Sequence, residues 1–278
     1  MSKVCIDAGH YGKYNVSPVN AAYYESVQMW RLHELLAAEL KKRGVTVVLT
    51  RQSQAADLSL ISRGKKAKGC DLFLSLHSNA ASTEGVDYPV AMVLRPNSRT
   101  TIDEKSAEIG LTLAKVVQST MGTTQAARTA TRASGNDRDG NGLLDDEYYG
   151  VLEGARQVGV PAVILEHSFH TNKKATAWLL VDANLQRLAK AEADAIAAWL
   201  GVKAPVQTSS TASTGTAAHY GIKITCDALN IRTGPGTGYK IAGVIRDKKT
   251  YTIIKEQNGW GLLKSKAGWI SLKYTRKI

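Results

Sequence analysis

Five short apolar runs, largely β-branched or aliphatic, recur through the first two thirds of the chain: VCID at 4–7, VTVVLT at 45–50, DLFLSL at 71–76, VAMVLR at 90–95 and AVIL at 162–165. Runs without polar alternation are those of strands covered on both faces. Between them lie segments with helical spacing. Over 25–43, Val27, Trp30, Leu35, Leu36 and Leu40 fall roughly on one face, Lys41, Lys42 and Arg43 occupy the last turn, and Gly44 closes it. Further helices are predicted at 57–68, 103–121, 149–157, 175–181 and 184–200, and the polar section 122–147 is expected to be loop. Strands alternating with helices over short connections specify an α/β fold, a mostly parallel sheet flanked by helices, in one domain of about 200 residues.

The segment 201–218, GVKAPVQTSSTASTGTAA, has no periodic apolar face and reads as a flexible linker. Beyond it, 219–278 alternates short strand-like runs with Gly, Pro and Asn turn signals, the pattern of a small all-β module. Between 220 and 278 there are 12 Lys and Arg against 3 Asp and Glu, so most of the formal net charge of +12 sits in this module and points to an anionic partner. Nucleic acid, anionic lipid and anionic wall polymer share that sign; a nucleic-acid binder has no supporting motif. The three cysteines, Cys5, Cys70 and Cys226, are an odd number, and the first two read as small buried hydrophobes rather than a disulfide framework. No apolar run approaches the roughly 20 residues that cross a bilayer. The N-terminus lacks a basic segment followed by an apolar stretch, so the expectation is a chain made in the cytoplasm without a Sec signal.

Three of the predicted strands hand over directly to chemistry-bearing residues: VCIDAGH reaches His10, LFLSLH reaches His77, and AVILE reaches Glu166, while Glu25 opens the first long helix. In a parallel sheet such positions share one edge, where loops converge on ligands. Any one of them alone reads more simply as a hydrogen-bonded polar residue at a strand end. Together, two imidazoles and two carboxylates match a catalytic zinc site: three N and O ligands, an open position, and a separate carboxylate to handle protons.

In this order, VCIDAGH at 4–10, Glu25, Leu49-Thr50-Arg51, DLFLSLHSN at 71–79 and PAVILEHSFHTN at 161–172 resemble the zinc-dependent N-acetylmuramoyl-L-alanine amidases of the type-3 amidase family, found in bacterial autolysins and phage endolysins. The resemblance covers roughly residues 1–200. It implies that His10, Glu25 and His77 bind one zinc per chain and that Glu166 is the catalytic carboxylate. It also implies the bond cleaved, the amide between the lactyl group of N-acetylmuramic acid and L-alanine of the stem peptide. The family usually has Gly-His-Gly-Gly at the first ligand; here Tyr11 replaces a Gly, which bears on loop shape and substrate fit. LNIRTGPGTGYKIAG at 229–243 and NGWGLLKSKAGWISLKY at 258–274 resemble bacterial SH3-like wall-binding domains. The implied partner is peptidoglycan, the basic charge of the module adds anionic wall polymers, and the missing Sec signal favours a phage or prophage endolysin over an exported autolysin.

Tyr11, Asn79, His167 and Arg63 are candidates for substrate contact, with packing at a strand end the competing reading for His167 and His170. Arg51 and Arg63 either orient loops or bind a peptide carboxylate, and His33 is read as structural. Trp260 and Tyr274 are candidates for wall binding, and Trp269 is expected in the core. The segment 137–148, DRDGNGLLDDEY, imitates a calcium loop but has Tyr148 where a bidentate Glu is needed, so a solvated acidic turn is expected instead of calcium. Two other functions fit some of these features: a zinc endopeptidase cutting a peptide cross-link, and a wall-binding protein with a vestigial metal site.

Overall fold

The computed structural model describes residues 2–96, 101–137, 142, 146–202, 216–236, 239, 241–257 and 259–278. The chain divides into two compact units, Met1–Pro205 and Val206–Ile278.

The first unit runs β1 (Lys3–Ala8), α1 (Glu25–Lys42), β2 (Thr46–Leu49), α2 (Leu60–Lys65), β3 (Leu72–Asn79), β4 (Val90–Val93), α3 (Thr101–Met121), β5 (Arg128–Ala130), α4 (Gly150–Arg156), β6 (Ala162–Phe169), α5 (Lys173–Leu179) and α6 (Asp182–Trp199). Its six-stranded sheet has the order β2-β1-β3-β6-β4-β5. The first four of these strands are parallel; β4 runs antiparallel to β6 and parallel to β5. Helices α1, α3 and α6 cover one face, where Leu32, Leu36, Ile109, Leu113, Leu188 and Ile196 close over alternate residues of the strands such as Ile6, Leu74 and Leu165. On the other face, Val151, Leu152 and Ala155 of α4 pack over Cys5, Phe73 and Ile164. Both faces are apolar because both are covered, which is why the strands lack polar alternation. Cys5 and Cys70 are buried free thiols.

Three sequence-based boundaries change. Strands β3 and β6 continue through His77 and Glu166 to Asn79 and Phe169. The ladder carries on beyond the last apolar residue because backbone pairing does not require an apolar side chain. Residues 128–130, expected to be loop, form edge strand β5 on β4. Regular structure also begins again at Thr216, inside the segment read as linker.

In the second unit, β7 (Thr216–Ile224), β8 (Leu229–Arg232), β9 (Ile241–Ile245), β10 (Thr250–Gln257), β11 (Trp260–Leu263), β12 (Trp269–Ser271) and β13 (Thr275–Lys277) form an antiparallel sheet in the order β13-β7-β10-β11-β12-β8-β9. Its core is Ile222, Ile224, Leu229, Ile245, Ile253, Leu263 and Ile270. Trp269, expected in that core, is only partly buried: side chains alternate along β12, and Ile270 takes the inward position. Among the described residues of the chain no helix is long and apolar enough to cross a membrane.

Candidate active site

The site is built where β1, β3 and β6 lie side by side. After β1 the chain passes through Gly9, whose missing side chain leaves room for a ring: a Cβ there would lie 2.6 Å from both Nδ1 and Nε2 of His77. His10 follows with a left-handed φ of 59°, uncommon for a residue with a side chain. Its imidazole stacks on Tyr14 with 5.2 Å between ring centroids. The loop then returns to Glu25, the first residue of α1, where the helix N-terminus favours a carboxylate.

Glu25 is buried and receives donors on both oxygens. Oε1 faces His77 Nδ1 at 2.9 Å and accepts from the Ser78 amide at 3.0 Å. Oε2 accepts from Asn15 Nδ2 at 2.8 Å and faces His10 Nε2 at 3.2 Å. One ligand atom from each of His10, Glu25 and His77 lies within 4.8 Å of the other two. Burial opposes ionisation of Glu25, but the two imidazoles outweigh it and hold the carboxyl well below the usual carboxylate range. For His77, burial disfavours the proton, yet the hydrogen bond and charge of Glu25 raise the imidazole to about 9.

Glu166 comes from the neighbouring strand, register-paired with His77. Residues 7, 77 and 166 thus face the same side of the sheet, toward α2 and α4. Burial, reinforced by the charge of Glu25 and opposed by His77, lifts Glu166 to about 7. Its Oε2 is buried with no hydrogen-bond partner among the described residues. Beside these groups, Asp7 accepts from Thr50 Oγ1 at 2.5 Å and Ser75 Oγ at 2.7 Å, with Arg63 Nη1 3.6 Å away.

A cavity of about 520 Å³ opens over these groups, with His10, Tyr11, Arg63, His77 and Glu166 in its walls. Tyr11 stands at its mouth, 43% exposed. Arg63 is buried beneath it and donates to the His10 carbonyl at 3.3 Å, so its visible work is to hold the loop. Arg51 does the same for Ala8, donating to its carbonyl at 2.6 Å. Asn79 and His167 do not line the cavity. The side chain of Asn79 accepts from the Ala80 amide, and His167 is buried on the opposite face of the sheet. His170 bonds the Ser78 carbonyl at 2.8 Å, and His33 is buried in α1 against Trp30. Of the calcium-like segment 137–148, residues 138–141 and 143–145 lie outside the described residues.

Sequence reasoning missed Asn15, Tyr14, Tyr148 and Glu192. Tyr14 and Tyr148 line the cavity from loops whose path no local pattern specifies. Glu192 did leave a signal, a carboxylate on the apolar stripe formed by Leu185, Leu188, Ala189 and Ile196.

The donor set of two imidazoles and a carboxylate suits zinc. Two ring nitrogens aimed at one buried carboxylate, beside a carboxylate oxygen with no hydrogen-bond partner among the described residues, fit a site that takes a cation. In the second unit Trp260 and Tyr274, with Arg232 and Lys273, line a separate cavity of about 610 Å³.

The family model described as N-acetylmuramoyl-L-alanine amidase matches residues 4–198, and that of the bacterial SH3 domain matches residues 227–276. No curated protein matches the chain. Among solved structures, the catalytic domain of CwlV, an N-acetylmuramoyl-L-alanine amidase from Bacillus (Paenibacillus) polymyxa var. colistinus, superposes with a TM-score of 0.57 at 25% identity, over 73% of this chain and 100% of that one. An N-acetylmuramoyl-L-alanine amidase from Clostridium difficile 630 gives 0.58 at 21% identity, over 73% of this chain and 98% of the other. The amidase AmiC2 of Nostoc punctiforme gives 0.53 at 22%, over 72% and 97%; at these two lower identities the likeness speaks for the fold. With the family match spanning most of the chain and His10, Glu25, His77 and Glu166 inside it, the chain belongs to the N-acetylmuramoyl-L-alanine amidase family and carries a bacterial SH3 domain behind its catalytic unit.

Proposed function

We propose that this amidase is zinc-dependent, that His10, Glu25 and His77 hold the metal, and that Glu166 is its general acid and base. The observation that carries the reading is the meeting of three N and O donors within 4.8 Å of one another beside a carboxylate oxygen that has no hydrogen-bond partner among the described residues. Zinc bound there supplies the Lewis acidity that polarises a carbonyl and acidifies water.

The chain's own residues do the rest. Asn15 and the Ser78 amide orient Glu25, and Gly9 leaves the His77 ring room to reach it. Glu166, held at about 7, is poised to accept a proton from the attacking water and return it to the leaving amine at neutral pH. The bond is the amide between the muramic acid lactyl group and L-alanine. The basic SH3 domain holds the chain on the wall, with Trp260 and Tyr274 as contacts for peptidoglycan and its cations for anionic wall polymers. The segment 201–218 joins the two units in the sequence, its residues 203–215 lying outside the described residues, and the whole acts as a phage or prophage endolysin.

The test combines metal analysis with products. Purified wall is digested, and mass spectrometry must find free lactyl carboxyl and L-alanine amino ends appearing together; new ends within the peptide instead refute the bond assignment. Glu166→Ala is expected to retain zinc and lose lysis. A zinc-loaded Glu166→Ala that still lyses refutes the role of Glu166.

A further inference from the structure

The residue after Glu166 faces the other way. His167 is fully buried between the sheet and α6; its Nδ1 lies 2.9 Å from the carbonyl oxygen of His77 and its Nε2 2.8 Å from Glu192 Oε1. A carbonyl can only accept, so Nδ1 carries a hydrogen. The junction with Glu192 needs another, which makes the pair either imidazolium with carboxylate or neutral imidazole with a protonated Glu192. Glu192 is itself fully buried on the apolar face of α6, and its Oε2 has no partner among the described residues.

A buried pair of this kind gains little over apolar residues of the same volume. Its location supplies a reason for it. The hydrogen bond lands on the backbone of a proposed zinc ligand, at the point where the β3–β6 register shifts between His77 and Asn79. Ser168, next along β6, is in the left-handed region at φ 60°. Where a ladder is interrupted, regular pairing no longer fixes the backbone, and a side-chain bond can take over that task. Groups that orient metal ligands without touching the metal typically set affinity 10- to 100-fold.

We propose that Glu192 and His167 form a positioning relay, running from α6 to the far side of the sheet, that fixes the His77 backbone and so aims its imidazole at the metal site. The inference rests on the zinc reading above. It assigns His167 to holding a ligand, in place of the substrate contact expected from its position beside Glu166.

The test measures zinc affinity of the full chain by competition with a chromophoric chelator. It adds the visible spectrum of the cobalt-substituted protein, which reports ligand geometry, and the melting temperature of the metal-free protein. In the double variant His167→Leu with Glu192→Leu, an apolar pair replaces the polar one. Zinc affinity is expected to fall about 10- to 100-fold and the cobalt spectrum to change. Glu192→Gln is expected to restore most of the affinity, because its amide can donate to Nε2 while Nδ1–H stays on the His77 carbonyl. Wild-type affinity and spectrum in the double variant overturn the relay, as does a Glu192→Gln variant no better than it. Should the double variant not fold, the His167 ring N–H resonances of the wild type are followed during zinc titration: movement supports the relay and fixed resonances overturn it. A wild-type chain that binds no zinc overturns the metal reading and the relay with it, whereas equal affinities overturn the relay alone.

Discussion

Gly9→Ala is the smallest change that reaches the proposed metal site directly. The new methyl would lie 2.6 Å from both ring nitrogens of His77 and closer still to Cε1, where nonbonded carbons prefer about 3.5–4.0 Å. The ring or the strand must therefore move by roughly 1 Å. The ring has little freedom to do so, because Nδ1 is 2.9 Å from Glu25 Oε1 and β3 is fixed between β1 and β6. Overpacking of this kind costs about 1–3 kcal/mol of stability. A displacement near 1 Å of a catalytic group costs about 100-fold in rate. The expected result is a folded, moderately destabilised protein with weakened zinc binding and lysis of purified walls down by about two orders of magnitude. Thermal melting of the metal-free protein, chelator competition and turbidity loss measure the three effects. A Gly9→Ala protein with wild-type zinc affinity and lysis would refute the argument that this contact sets the position of His77.

Two other predictions concern pH and wall binding. In the metal-free protein His77 sits at about 9 against an ordinary 6.5, so its stabilisation is complete below pH 6.5 and is lost as pH rises through 9. Glu166, at about 7 against 4.5, also holds its proton more tightly when folded, so stability falls as pH rises from 4.5 through 7. Glu25, shifted down, stabilises above pH 4.5 and loses that contribution only in acid. Melting temperature without metal is thus expected to fall between pH 6 and 9, and zinc affinity to strengthen over the same range as zinc displaces the His77 proton; a flat profile in both contradicts these assignments. In the SH3 domain, Trp260→Ala and Tyr274→Ala are each expected to weaken sedimentation with purified sacculi about 3- to 10-fold without loss of fold. Unchanged binding in both variants removes that cavity as the wall contact.

Much of the catalytic unit was legible in the chain because its central strands, β1, β3, β6 and β4, are buried on both faces, so apolar runs mark them. Strand length was less legible. His77 and Glu166 read as residues just beyond their strands, yet both lie inside the ladder in direct register, since polar residues lining a site interrupt hydrophobicity without interrupting pairing. Edge strand β5, three residues long, carries no periodic signal at all. In the second unit, the inward and outward sides of β12 depended on pairing phase, which left Trp269 partly exposed and Ile270 in the core.

The sequence alone determined the residue types available for chemistry, the order of strands and helices that brings them to one region, and the likeness to an amidase with a wall-binding module. Tertiary structure alone decided which of the polar residues near those strands serve the cavity. Glu166 and His167 are neighbours in the chain, but the alternation of a β-strand sends one carboxylate into the cavity and the adjacent imidazole through to Glu192 on α6. Whether a residue faces the site depends on strand phase and on what packs against each face, and neither is fixed until the sheet has assembled.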